Sequence, residues 1–320
     1  MDGDVMPLKR FFRSRLALCG GVAAGMALLA VMGAGGWLVA GSGGALKAAP
    51  IAGAAPVVDE GAAEGGAAEG GKAPQRVVSV NLCADQLVLA LADRGQIAGL
   101  TRYAVDPEMS GEAARAKGLP ILAGSAEEIL TINPDLVIGM PASGSAALMM
   151  LKGRHYPTLD LPLAERYEDI VATIRQVAAA LGHEARGEAL IARMDAELAI
   201  LPKAPGGGAI AAYYQRRGYM TGTGTLVDDL MNRMGLVNLA RRLDKPVLSR
   251  VSLEEMVAAR PDYLIVESAT DRVNDQGTEM LHHPVLRDIP RISIPQAWTV
   301  CGSPAYVRAA QVMAQAVARP

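Results

Sequence analysis

Aromatic residues make up only 4% of this 320-residue chain, so each one that falls in a loop gains weight as a candidate contact. Charge of one sign is also lacking: 31 Lys and Arg against 33 Asp and Glu leave a formal charge of −2. That balance gives no electrostatic reason to expect a nucleic-acid partner. The turn Gly222-Thr223-Gly224-Thr225 has neither a Walker lysine nor a GxGxxG, which argues against nucleotide binding. It reads as a glycine-permitted turn, or as backbone N–H groups meeting an anion at a helix start. There is no Gly-x-Ser-x-Gly elbow and no Ser/His/Asp arrangement. His155 and His183 are isolated, and His282 and His283 sit beside Pro284 with Glu279 one turn earlier. A closed metal site needs more ligands than these, so no metal and no intrinsic cofactor are expected.

Cysteine is scarce as well. Cys19 precedes the apolar core of the N-terminal run instead of ending it, which argues against lipidation. Cys83 and Cys301 remain, each at a helix start after a strand. Buried structural thiols, a disulfide across two lobes and a soft ligand contact all fit that placement. An envelope enzyme using one of them as nucleophile is an alternative, although no His base can be assigned to it.

The N-terminus has a clear pattern. Lys9, Arg10, Arg13 and Arg15 precede Leu16–Gly41, which carries no charge. A basic flank before an apolar run directs the downstream chain across the membrane. Residues 1–41 therefore read as a cleavable signal or a retained inner-membrane anchor, the length of 16–41 being enough to span a bilayer. Residues 42–74, with GAAEGGAAEGG inside them, have too little apolar area to fold and read as a flexible linker.

Ser125–Gly139 (SAEEILTINPDLVIG) recurs 127 positions later as Ser252–Val266 (SLEEMVAARPDYLIV). Ser with Glu three residues on is a capping box, Pro-Asp a turn, and the apolar run a buried strand. Strands and helices alternate on either side of a mostly helical stretch, which predicts an α/β lobe over 75–162, an inter-lobe helix over 163–203 and a second lobe over 204–320. Expected strands include 76–81, 97–101, 120–122, 136–139, 158–161, 209–214, 262–266 and 291–294. Gly182 is a point where the connecting helix breaks or bends.

Ligands bind at the carboxyl ends of strands in open parallel sheets. The candidate contacts are therefore Asn81, Cys83, Arg102, Tyr103 and Met140 in the first lobe. In the second they are Tyr214, Arg216, Tyr219, Trp298 and Cys301. The Tyr, Arg and Trp among them suit a bulky, partly anionic ligand.

RVVSVNLCADQLVLALAD, PDLVIGM, GYMTGTGTLVDDLM, SLEEMVAARPDYLIV and AWTVCGSP stand in an order and spacing that resemble substrate-binding proteins of ABC importers for cobalamin, iron-siderophores and haem. The resemblance covers Arg76 to about Val317. It implies the class III periplasmic binding protein architecture: two Rossmann-like α/β lobes, a central parallel sheet in each, joined by a long rigid helix. It also implies an exported, periplasmic protein that delivers cobalamin, a ferric siderophore or haem to a membrane permease. Tyr103, Tyr219 and Trp298 fall where cobalamin binders place aromatic contacts, and Met140 where some relatives have an aromatic. Family members dock on the permease through an acid on each lobe. Asp228 or Asp229 matches the second-lobe position, whereas 143–148 contains no acid, so that docking is either asymmetric or uses Glu127 or Glu128 in the first lobe. A membrane-anchored adaptor for a protein partner is the remaining alternative.

Overall fold

The computed structural model describes residues 72–151 and 153–318. The expected export segment and most of the linker lie outside the described residues. No helix among the described residues is long and apolar enough to cross a membrane.

The first lobe runs β1 (Val77–Ser79), α1 (Leu82–Leu91), β2 (Ile97–Thr101), β3 (Ile121–Leu122), α2 (Ala126–Ile132), β4 (Leu136–Gly139), α3 (Ala146–Met150) and β5 (Thr158–Asp160). Its strands lie in the order β3-β2-β1-β4-β5, and every neighbouring pair is parallel. Two helices come next, α4 (Tyr167–Leu181) and α5 (Glu184–Ala199). The second lobe then runs β6 (Ile210–Tyr214), β7 (Tyr219–Thr221), α6 (Leu226–Arg233), β8 (Val237–Asn238), α7 (Leu239–Arg242), β9 (Leu248–Arg250), α8 (Leu253–Ala259), β10 (Tyr263–Glu267), α9 (Gln276–Glu279), β11 (Arg291–Ile294) and α10 (Tyr306–Val317). Its sheet has the order β11-β10-β6-β7-β9, with β8 also on β6. The central strands are parallel as expected, with one antiparallel strand toward the edge. β10 is parallel to β6 and β11, and β8 to β6, but β7 runs antiparallel to both β6 and β9.

The sequence repeat is a structural repeat down to single atoms. The Ser125 hydroxyl accepts from Glu128 N at 3.3 Å and the Ser252 hydroxyl from Glu255 N at 3.2 Å. Both helices end on a left-handed residue, Asn133 and Arg260, each with φ 48°. The Asp of each Pro-Asp then holds the start of the adjacent strand. Asp135 accepts from Arg76 N at 2.7 Å ahead of β1, and Asp262 from Ile210 N at 2.7 Å at the start of β6. The repeated Ser and Asp therefore satisfy helix-end and strand-edge N–H groups that would otherwise lack partners, whereas the expected second capping box is incomplete: Glu128 accepts from Ser125 N, but Glu255 pairs with Lys245 at 2.7 Å instead.

The connector is two helices instead of one. The apolar stripe Ile170, Ile174, Val177 and Leu181 is fully buried, and Gly182, the expected point of a break, takes φ 74° and ends α4, a conformation glycine adopts without Cβ strain. α5 folds back along α4. Gly187 lets them approach, since a Cβ there would lie 2.6 Å from that of Ala178, and Arg175 pairs with Glu188 at 2.7 Å across the hairpin. The corner is fixed to the first lobe by His183 on Gln96 at 2.7 Å and Arg186 on Asp93 at 2.7 Å. One apolar cluster extends from Val77, Leu87 and Leu100 through Ile170, Ile174 and Leu190 to Tyr213, Leu230 and Tyr306. Both lobes thus share a core around this hairpin, which makes it a stiff spine.

Candidate functional site

In the first lobe, neighbours of β1 lie on either side in opposite chain order, so the sheet has its topological switch point between β1 and β4. In the second lobe the same reversal falls between β6 and β10. Such points leave a crevice at the carboxyl ends of the strands. A cavity of about 290 Å³ lies where these two crevices meet, at the lower end of the range for small-molecule pockets. From the first switch point it is lined by Cys83 and Met140, and from the second by Tyr213, Gln215 and Glu267. Leu163, Ala164 and Glu165 close it on the connector side, and Leu226, Val227, Val247 and Val300 supply apolar walls.

Cys83 and Cys301 form a disulfide, with Cα atoms 5.3 Å apart, and both line the cavity. The bridge joins α1 of the first lobe to the segment between β11 and α10 of the second. Of the three readings open for these cysteines, the cross-lobe bridge is the one observed. Neither sulfur is a free thiolate in this form, which removes the nucleophile from the enzyme alternative.

The other candidates do not all meet there. Of the ten contact positions, Cys83, Met140 and Cys301 line the cavity. Tyr214 requires correction. It is 0% exposed, and its hydroxyl donates to Val251 O at 2.8 Å on the opposite face of the sheet. Strand alternation gives the cavity face to Tyr213. Arg102 and Tyr103 lie on the exposed loop after β2, the guanidinium donating to the phenol oxygen at 2.7 Å and lying 4.8 Å over its ring. Arg216 is ion-paired with Asp275. Tyr219 is half exposed beneath Arg250, 5.7 Å from its ring. Trp298 is half buried and packs on the shared core. Neither Arg102 nor Arg216 contributes a positive charge to the cavity wall.

Asn81 and the motif around it build the frame. Asn81 caps α1, its side-chain oxygen accepting from Cys83 N at 2.8 Å. The Gln86 side-chain oxygen accepts from Gly111 N at 3.0 Å. Asp85, fully buried, accepts from Thr101 N at 3.1 Å and from the Thr101 hydroxyl. Burial pushes its carboxyl up to about 6, against the lowering effect of the Thr101 and Ser79 hydroxyls. A raised folded-state value means the native protein holds a proton that the unfolded chain releases. The stability this gives is full below the ordinary value of 3.8 and is lost as the pH rises through about 6. Asp85→Asn removes that titration. Its stability relative to the parent is expected to rise by about 2 kcal/mol between pH 4 and pH 7. Urea midpoints of both proteins across that range measure the difference, and parallel pH profiles would contradict it.

The two acids at the position matched to docking, on α6, are both tied into the fold. Asp228 is 5% exposed. It accepts from Asn238 Nδ2 at 3.0 Å and Gly224 N at 3.2 Å, with Arg241 at 3.8 Å. Its carboxylate thus occupies the helix start where the glycine turn was read as a possible anion site. Asp229 accepts from Tyr167 N at 3.2 Å and from the Tyr306 hydroxyl. In the first lobe Glu128 is taken up by Ala123, Gly124 and Ser125 N–H groups, whereas Glu127 is exposed. His282 binds Thr270 O at 2.7 Å, and among the described residues no group of His, Cys, Asp and Glu is placed to hold a metal ion.

Of the remaining polar lining residues, Gln215, Glu267, Gln296 and Thr299 fall in the post-strand segments 214–223, 267–270 and 296–303 that the sequence points to, without being among the ten named contacts, and Tyr213 falls outside them. Glu267 carried a signal: it is the one charge closing the apolar strand run Leu264–Val266.

A family model described as periplasmic binding protein matches residues 77–291. A cobalamin-binding protein of Halobacterium salinarum is 21% identical over 213 residues, which is 65% of this chain and 58% of that relative's own length. Among solved structures, the periplasmic haem-binding protein RhuT of Roseiflexus sp. RS-1 is 26% identical with a TM-score of 0.58, covering 76% of this chain and 98% of its own. The periplasmic vitamin B12 binding protein BtuF of Vibrio cholerae is 15% identical with a TM-score of 0.56, covering 76% and 96%.

Proposed function

Because this chain belongs to the periplasmic binding protein family, we propose that it is an exported solute receptor, holding a cobalamin-like or iron-chelate ligand between its lobes and passing it to an ABC permease. The observation that carries this reading is the cavity itself. It lies on the switch points of two sheets at once and draws walls from both lobes, the place where α/β sheets hold ligands. The relatives named for cobalamin and haem support the ligand class. A whole corrin or ferric chelate exceeds the cavity, so at this degree of closure one end of the ligand enters and the rest lies toward the cleft mouth. Tyr103 and Tyr219, both partly exposed, are the aromatic residues proposed to meet it there.

Binding, with no bond made or broken, is the proposed activity. With Asp228 and Asp229 tied into the fold, we propose that permease docking uses other acids, such as the exposed Glu127. The periplasm is the proposed location, with 16–41 as signal or anchor. Calorimetric titration of the full chain with cyanocobalamin, haem and ferric hydroxamates tests the reading. Saturable heat with at least one of them is expected, and no heat from any would overturn it in favour of a protein-binding adaptor.

A further inference from the structure

The cavity has a charge pattern that the receptor reading leaves unexplained. Its one buried charged group is Glu267, the last residue of β10 at the second-lobe switch point, 8% exposed. The β10–β6 register pairs Ile265 with Tyr213, so Glu267, two residues on, shares the sheet face of Tyr213. Among the described residues nothing donates a hydrogen bond to its carboxylate. The Tyr213 hydroxyl beside it pairs with Thr299, at 3.4 Å, and with Gln215, and the amides of Gln215 and Gln296 complete the polar floor. No Lys, Arg or His lines the cavity among the described residues. Arg216, the nearest cation to influence Glu267, has its guanidinium paired with Asp275 and its side chain 49% exposed.

We infer that this cavity selects a ligand that presents an ammonium or amide N–H donor to Glu267, and rejects one that presents carboxylate or catecholate oxygens. The inference rests on the receptor reading and narrows its ligand class. With no protein donor, this carboxylate is left to the water of the cavity; a ligand that enters displaces that water, and only a donating one replaces its hydrogen bonds. An anionic group entering the same space meets a carboxylate whose opposing cation, Arg216, lies off the cavity wall and is already paired with Asp275. The cost of a charge there is visible in Glu267 itself, whose carboxyl is pushed above its ordinary range by burial, with Arg216 acting the other way. Tyr213 is likewise pushed up to about 12 by burial and by the nearby Glu267, so its hydroxyl stays a donor. The floor therefore sets one carboxylate acceptor among amide and hydroxyl groups that can donate or accept, a set that fits a primary amide or a protonated amine. This reverses the anionic preference that Arg102 and Arg216 suggested in the sequence.

The test is calorimetric titration of the full chain with two pairs of probes: cyanocobalamin and the cationic trihydroxamate ferrioxamine B against haem and an anionic ferric tricatecholate. The better of the first pair is expected to bind at least tenfold more tightly than the better of the second. Glu267→Gln keeps the shape but removes the charge, and is expected to narrow that ratio at least threefold. Haem or the tricatecholate binding as tightly as the first pair would overturn the inference, and so would a ratio unchanged in Glu267→Gln. Both results would leave the receptor reading intact. No binding by any probe would overturn the receptor reading and this inference together. The comparison in the native chain decides the matter even if the variant fails to fold.

Discussion

Breaking the Cys83–Cys301 bridge is expected to lower the thermal midpoint of the chain by roughly 10–20 °C. The cysteines are 218 residues apart in sequence. In the chain-entropy model a closed loop of that size restricts the unfolded ensemble by about 5 kcal/mol, and a domain of this size loses about 2–4 °C per kcal/mol. The bond also joins segments on opposite lobes, so its loss acts on the cleft as well as on the unfolded chain. Cys83→Ser, Cys301→Ser and the double variant should be destabilised alike, within about 1 kcal/mol, because any one of them removes the whole cross-link. Melts of the three variants, and of the parent with and without reductant, measure this. A double variant within about 1 kcal/mol of the parent would show that the connector hairpin alone already imposes the constraint. Ligand titration of the double variant separates the two consequences: a looser cavity weakens binding even well below the melting range.

The strands that sequence reading placed best are those with a sharp boundary on both sides. Ile97–Thr101, Leu136–Gly139 and Arg291–Ile294 have the predicted limits, the second coming after a Pro-Asp turn and the third after Pro290. The strands it missed are the two-residue β8 and, three residues each, β7 and β9. No alternation is readable over three residues, and their pairing partner is distant in sequence. β7 also makes the second sheet mixed, which no local pattern announces.

The site was harder to read for a related reason. In an α/β sheet both faces are covered, so Ile210–Tyr214 is apolar throughout and its alternation says only that Tyr213 and Tyr214 part company. Which of them meets the cavity depends on the packing of α6 and α10 against one face, information held by the tertiary structure alone. The cysteines present the same problem at longer range: their separation says nothing of their distance in space. Loops after strands were the right places to look, and Cys83, Met140 and Cys301 came from there. The Arg and aromatic side chains favoured in those loops are long enough to turn to partners of their own, as Arg102 does to Tyr103 and Arg216 to Asp275. Glu267, shorter and on the strand itself, has no such freedom.

Asp229 gives the sharpest contrast between a folding role and a docking role. An exposed acid that meets a permease arginine should be removable at a stability cost within about 0.5 kcal/mol. The structure predicts a far larger loss. Asp229 ties three helices together: it sits on α6, accepts from the first-turn N–H of Tyr167 on α4, and accepts from the hydroxyl of Tyr306 on α10. Tyr306 is 0% exposed. Burial and then the Asp229 hydrogen bond raise its ionisation well above the usual phenol value, so the hydroxyl remains a donor at every working pH. The Tyr306 and Tyr167 rings pack 5.5 Å apart, and Arg233 lies 5.1 Å over the latter. Asp229→Ala leaves the buried hydroxyl and the helix N–H without their charged acceptor, at a combined cost of about 3 kcal/mol. Tyr306→Phe alone should cost less, since Asp229 is only half buried and retains Tyr167 N. The pair should show a coupling of about 1 kcal/mol or more in a double-mutant cycle. Urea denaturation of the three variants decides between the roles. Asp229→Ala within about 0.5 kcal/mol of the parent would return this residue to the surface-docking reading, and the expected loss would assign it to the joint between spine and second lobe.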